Sequence, residues 1–325
     1  MNALKVTKAD FGPIMWFVVP SFLILLGVSF LIYLPLGIWI CQNYRGQLSR
    51  STVVLLLFLI VQFTIGLQSH NNSRDTLNAV LELLNFALLI ISPDLLGRTD
   101  KLPLRSIKLG YFGIVLFFLL VAALTLTDSA SRSVRAAAQL SAAPFLFYIS
   151  KGTWKNKALS LAVVVLASAR SIALGWVAAL VLKKANQKLA KLLLPTLGVL
   201  AFCMIFFMSD VLMELRDQGI LLKGRTNFWI NIVENAPILF FGNGPGYSIA
   251  LTVDMLGFYQ LPHNDFIRIL YDFGFFGALV LVRFLFQQDA RVNIFPVMFL
   301  FYCFTGNPLT FPSVIVGLVM SQKYS

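Results

Sequence analysis

The chain has 325 residues, 58% of them hydrophobic and 12% charged, with a mean hydropathy of +0.81. Soluble domains carry about 25% charged residues, so this balance excludes a soluble globular protein. The net charge of +12, from 26 Lys and Arg against 14 Asp and Glu, would in a soluble chain point to nucleic acid. In so apolar a chain it follows instead from basic residues retained on the cytoplasmic side of a membrane, and no nucleic-acid partner is expected.

Taken in order, apolar runs at 12–25, 28–41, 53–68, 76–93, 109–126, 136–150, 157–169, 171–182, 191–208, 265–286, 292–304 and 311–320 predict an all-α polytopic membrane protein. It has about 12 transmembrane helices (range 10–12), several of them shorter than the ~20 residues of a full crossing. The opening pair is either two helices or one kinked near Pro35, and the pair flanking Arg170 is either two short helices or one. The first run lacks a signal-peptide cleavage pattern, so residues 1–325 read as a single membrane domain. Thirty Phe suit a lipid-facing bundle. Cys41, Cys203 and Cys303, at unrelated spacings in apolar sequence, read as small apolar residues rather than metal ligands or a disulfide.

Threading the chain through these runs puts seventeen of the 26 basic residues on one side, from Lys5 and Lys8 through the Lys151–Lys157 and Lys183–Lys191 clusters to Lys323. That side is the cytoplasm. The other side receives seven: Arg74, Arg132, Arg135, Arg170, Arg216, Lys223 and Arg225. Both flanks of Arg170 are basic, which argues for two short helices meeting outside. One outer loop is long, 209–264, and long ordered loops in compact folds are usually functional. In it Thr226 is a candidate cap for a helix holding Phe228, Trp229, Ile232 and Val233, limited by Pro237. Gly242-Asn243-Gly244-Pro245-Gly246 reads as a turn. It lacks the Lys-Ser/Thr ending of a phosphate-binding loop and follows no Rossmann strand, so its glycines serve tight backbone geometry.

Of the two histidines, His263 stands where the long loop re-enters the membrane. There it is either a general base facing water and substrate or a cap for the next helix. His70 lies in the polar turn Ser69–Asp75, where Asp75 or Thr76 is a candidate cap. Arg225 offers a planar fork suited to phosphate, though a surface arginine reads the same way. Arg170, in Ala167-Ser168-Ala169-Arg170-Ser171, is an intramembrane charge, which costs a few kcal/mol unless it faces a cavity or a partner. Arg268 shares a helical side with Asn264 and Asp272 by i+4 spacing, whereas Arg283 can snorkel from its span end. The loop's acidic residues, Asp210, Glu214, Asp217, Glu234 and Asp254, form no pair at metal-ligand or glycosidase spacing, so no metal is expected.

Gly224-Arg225 with Trp229, then Pro237, Gly242-Asn243-Gly244, His263-Asn264, Gly274 and Gly277 resembles the signature of the O-antigen ligase and O-antigen polymerase family. The stretch around Arg170 is similar to that family's arginine motif, with alanine where glycine is usual. The resemblance implies a GT-C-like fold and a metal-independent, inverting glycosyltransferase without cofactor. Its donor would be a glycan on undecaprenyl diphosphate, its acceptor a glycan or lipid A core, and its site would face the periplasm across the bacterial inner membrane. By position, Arg225 and Arg170 would bind the diphosphate, with His263 and Arg225 catalytic and Asn264 and Arg268 in support. The short Arg225–His263 loop favours polymerase over ligase. A transporter or flippase of a lipid-linked glycan is the alternative, for which inverted repeats would speak; none is visible.

Overall fold

The computed structural model describes residues 33–43, 48–67, 73–95, 170–184, 186–218, 225–257, 264–288 and 295–304, with a few isolated positions besides. The expected runs at 12–25, 109–126, 136–150, 157–169 and 311–320, and the turn holding His70, lie outside these residues but for isolated positions. Among the described residues the chain is helical and has no strand.

The first three helices are α1 (Tyr33–Asn43), α2 (Arg50–Leu67) and α3 (Ser73–Leu95). Pro35 falls in the first turn of α1, where its missing N–H costs no helical hydrogen bond. The Tyr33 hydroxyl donates to Asn85 Oδ1 and ties α1 to α3. Asp75 and Thr76 lie inside α3, which starts at Ser73, so neither is the cap expected there. Helices α2 and α3 are antiparallel and their register is set at one end, where Ser49 N donates to Asp94 Oδ2 at 2.9 Å. Burial pushes the Asp94 carboxyl up, but hydrogen bonds from Thr52 and Ser49 and the charge of Arg283 outweigh it and hold it below its ordinary 3.8. Val53, Val54, Leu57, Ile60 and Val61 of α2 are exposed, an apolar outward face.

Next come α4 (Arg170–Lys183), α5 (Gln187–Phe206), α6 (Met208–Asp217), α7 (Arg225–Asn235) and α8 (Tyr247–Leu256). Asn186 caps α5 by accepting from Lys188 N at 3.0 Å. The segment 209–264, expected as one long loop, thus contains three helices among its described residues. Helix α7 already includes Arg225, so Thr226 lies inside its first turn and is not its cap. The expected single span 265–286 is two helices, α9 (Asp265–Asp272) and α10 (Gly274–Phe286), broken at Phe273 because Gly274 takes φ +63°. Finally α11 (Phe295–Cys303) packs along α4.

Small residues set the closest crossings. A Cβ on Gly175 of α4 would stand 2.7 Å from Met298 Cα, and one on Gly198 of α5 would stand 2.8 Å from Leu285 Cδ1 of α10. No helix among the described residues is long and apolar enough to cross a membrane. The 18 residues of α2 rise ~27 Å against a ~30 Å hydrocarbon core, and α10 and α11 have only 13 and 9.

Two outcomes follow. A depressed carboxyl contributes stability above its unfolded value and loses it as pH falls through the folded one. The Asp94→Asn protein should therefore unfold earlier than wild type near neutral pH, with the difference vanishing as pH falls from about 5 toward 3, read as detergent-phase melting midpoints. Gly244→Ala should destabilise by more than ~1 kcal/mol, since its φ is +100° and its Cβ would fall 2.2 Å from Gly66 Cα. Gly257→Ala, at φ +69° with nothing within 4 Å, should cost less in the same melts.

Candidate functional site

Of the residues singled out in the sequence, Arg170 and Arg225 open α4 and α7, and their side chains lie outside the described residues, as does all of His263. Asn264 and Arg268 are both described and both buried. Asn264 is extended (φ −154°, ψ 107°), and its Oδ1 accepts from Phe266 N at 3.0 Å and Ile267 N at 3.2 Å. It is the N-cap of α9, and it fixes the backbone immediately after His263 in the chain.

Positions 265, 268 and 272 recur at i, i+3 and i+7, so α9 presents two carboxyl groups and a guanidinium on one face. Arg268, 1% exposed, donates from Nη1 to Asp265 Oδ1 at 2.9 Å and from Nη2 to Glu82 Oε1 of α3 at 2.7 Å. The second oxygen of Glu82 accepts from Gly246 N at 2.7 Å, so one carboxylate holds both α9 and the start of α8. Asp272 accepts from Ser248 N at 2.6 Å and Ser248 Oγ at 3.0 Å, a second tie between α9 and α8. Charges this deeply buried persist only when paired and hydrogen-bonded.

The glycine turn completes the frame. The break after Asp272 leaves the last carbonyls of α9 without helical donors. Tyr271 O takes Asn243 N at 2.9 Å and Asn243 Nδ2 at 3.0 Å, and Asp272 O takes Gly244 N at 2.9 Å. Asn243 Nδ2 also reaches Pro237 O at 3.0 Å. Side chains would obstruct this contact: a Cβ on Gly242 would lie 2.3 Å from Asp272 O, and one on Gly274 would lie 2.3 Å from Gly242 N. The sequence reading of these glycines as backbone devices agrees with this geometry.

Aromatic packing brings further elements to the Asn264 end of α9. The Phe266 ring meets Phe202 of α5 edge-on at 5.2 Å and Phe304, just past α11, at 4.6 Å. Helix α4 packs along α11, with Gly175 close to Met298 and Phe301.

Glu82 and Ser248 were not singled out in the sequence, and Asp272 was named there only as sharing a helical side with Arg268. A signal existed for Glu82, a carboxylate inside the apolar run Leu81-Glu82-Leu83-Leu84, by the cost argument that singled out Arg170. Among the described residues no group of three His, Cys, Asp or Glu is arranged to hold a metal ion. The described geometry is one of positioning, since Arg268, Asp272 and Asn243 are each engaged by a neighbouring segment.

Removing Glu82 takes one of two carboxylate partners from a buried guanidinium and the acceptor from the Gly246 N–H. Glu82→Ala should destabilise by ~3–5 kcal/mol, read as loss of folded protein in detergent melts, whereas Asp210→Ala on exposed α6 should be near neutral. No protein-family profile, curated protein or solved structure matches this chain.

Proposed function

We propose that the chain spans the bacterial inner membrane as an all-α bundle of about 12 helices and transfers an undecaprenyl-diphosphate-linked glycan to a glycan or lipid A core acceptor on the outer face. Composition, the asymmetry of basic residues and the exposed apolar face of α2 support membrane insertion. Helices shorter than the bilayer are accommodated as broken pairs, as α9 and α10 are.

The observation that carries the enzymatic reading is the ordered signature from Gly224-Arg225 to Gly277, whose described members belong to one interlocked unit. Trp229 is buried in α7, Gly242 and Gly244 clasp the break at Gly274, Asn264 caps α9, and a Cβ on Gly277 would meet Phe273 Cβ at 2.4 Å. Within this pattern, spread over some fifty residues, the described glycines at 242, 244 and 274 meet at one junction.

In the proposed reaction the acceptor hydroxyl attacks the anomeric carbon opposite the diphosphate, and the bond from that carbon to the diphosphate oxygen breaks with inversion. The proton passes to His263. The negative charge developing on the diphosphate is met by Arg225 and Arg170, whose guanidiniums bond two oxygens at once. Arg268, engaged by Glu82 and Asp265, orients α9 and is not a diphosphate ligand. The short loop favours the polymerase activity, with the growing glycan as acceptor.

His263→Ala and Arg225→Ala should each abolish glycan transfer by the purified protein with lipid-linked donor, leaving membrane insertion intact. Retained transfer without the imidazole would remove the base assignment, and transport without bond formation would indicate a flippase. In a deletion strain, a single repeat unit on lipid A core is the polymerase outcome, and loss of all ligated chains the ligase outcome.

A further inference from the structure

Four lysines stand within nine residues where α4 gives way to α5: Lys183 closes α4, Lys184 follows it, and Lys188 and Lys191 lie in the opening turns of α5. All four are exposed. The link between the helices is short and its backbone is held, since Lys184 N donates to Val181 O at 3.0 Å and Lys188 N to Asn186 Oδ1 at 3.0 Å. The ammonium groups are therefore kept in one neighbourhood. No Asp or Glu occurs in the chain between Asp128 and Asp210, so neither helix offers them a carboxylate. Arg283, by contrast, donates to Ser51 Oγ at 3.3 Å and acts on the Asp94 carboxylate.

Beside the lysines, both helices turn apolar side chains outward. Leu174, Val177 and Val181 of α4 are exposed and recur at i, i+3 and i+7, and Lys184 continues the series. On α5 the exposed series is Lys188, Leu192, Thr196, Val199 and Cys203, again at helical spacing with a lysine at its head. Thr196 donates to Leu192 O at 2.8 Å within its own helix, so its hydroxyl needs no water. Helix α4 packs along α11 and α5 along α10, so neither stripe covers the other.

The dimensions of the two stripes match a lipid. Lys184 to Leu174 spans ~15 Å and Lys188 to Cys203 ~22 Å at 1.5 Å per residue, against ~15 Å for the hydrocarbon of one leaflet. Acyl chains fit the stripes, and lysine stems extend along apolar surface to put their charge at headgroup level. A zwitterionic headgroup brings its own cation, whereas an anionic one leaves a net negative charge to answer the four ammonium groups.

From this arrangement we infer that the elbow between α4 and α5 is a docking surface for anionic phospholipids of the cytoplasmic leaflet, with Lys183, Lys184, Lys188 and Lys191 meeting the phosphates and the two stripes meeting the acyl chains. The inference rests on the membrane-spanning reading above but not on the glycosyl-transfer reading. It anchors, at its opposite end, the helix that begins at Arg170.

The test uses the full chain with Cys41, Cys203 and Cys303 replaced by Ala, carrying a bimane fluorophore at Val177→Cys, Thr196→Cys or Leu57→Cys, in phosphatidylcholine vesicles. Quenching by phosphatidylglycerol brominated on its acyl chains is compared with quenching by brominated phosphatidylcholine. At 177 and 196 phosphatidylglycerol should associate about fivefold more tightly than phosphatidylcholine, and at 57 on α2 the two should be equal. Lys183→Gln, Lys184→Gln, Lys188→Gln and Lys191→Gln together, or high salt, should bring the ratio at 177 and 196 toward one, whereas Arg at the same four positions should keep it. Equal quenching by both lipids at 177 and 196 overturns the docking surface, leaves the lysines to an acidic protein or to solvent, and lets the membrane reading stand. A preference that survives the four Gln substitutions overturns it as well. Absence of quenching by either lipid at 57, 177 and 196 overturns both readings. Labels on two helices guard against one variant that misfolds.

Discussion

The described architecture hangs on one reciprocal contact, the backbone of Gly242–Gly244 lying against the break between α9 and α10. A broken helix exposes carbonyls on one side of the break and N–H groups on the other. Asn243 and Gly244 supply donors to Tyr271 and Asp272, and Phe240 O receives Phe276 N at 3.4 Å. The two segments approach to a distance that excludes any Cβ at 242 or 274, while Gly66 of α2 excludes one at 244. The break is thereby paired rather than strained, and it allows α9 to depart from the line of α10 and reach Phe202 and Phe304.

The buried charges serve the same junction. Glu82 bridges Arg268 and Gly246, and Asp272 bridges α9 and Ser248, so α3, α8 and α9 share one polar core within apolar surroundings. Leaving any partner unpaired there costs far more than a surface ion pair contributes. The glycosyl transfer proposed for this chain calls for a base and cations held in register. Asn264, rigid at the head of α9, is the element through which the frame would act on His263.

How much was legible can be judged from particular residues. The helical runs appear as apolar stretches because burial of backbone polarity favours helix in such sequence, and α2, α3, α4 and α11 fall where those stretches lie. The side shared by Asn264, Arg268 and Asp272 follows from helical periodicity alone. The glycine turn was readable as a turn, but its docking partner was not. Thr226, Asp75 and Thr76 looked like caps by residue type, yet helix ends depend on where tertiary contacts stop paying for order, and each of these residues lies inside its helix.

The sequence by itself determined what is additive or local: the apolar class of the chain, the placement of basic residues, the helical stretches, and the need of Gly242, Gly244 and Gly246 for unusual backbone angles. Tertiary structure alone decided the partners. Glu82 and Arg268 are separated by 186 positions, and the stacking of Phe241 on Phe58 is set by how segments distant in the chain pack. So is the division of 265–286 into two helices. Gly274 permits the break, but only the approach of Gly242–Gly244, with donors for the freed carbonyls, makes it the lower-energy arrangement.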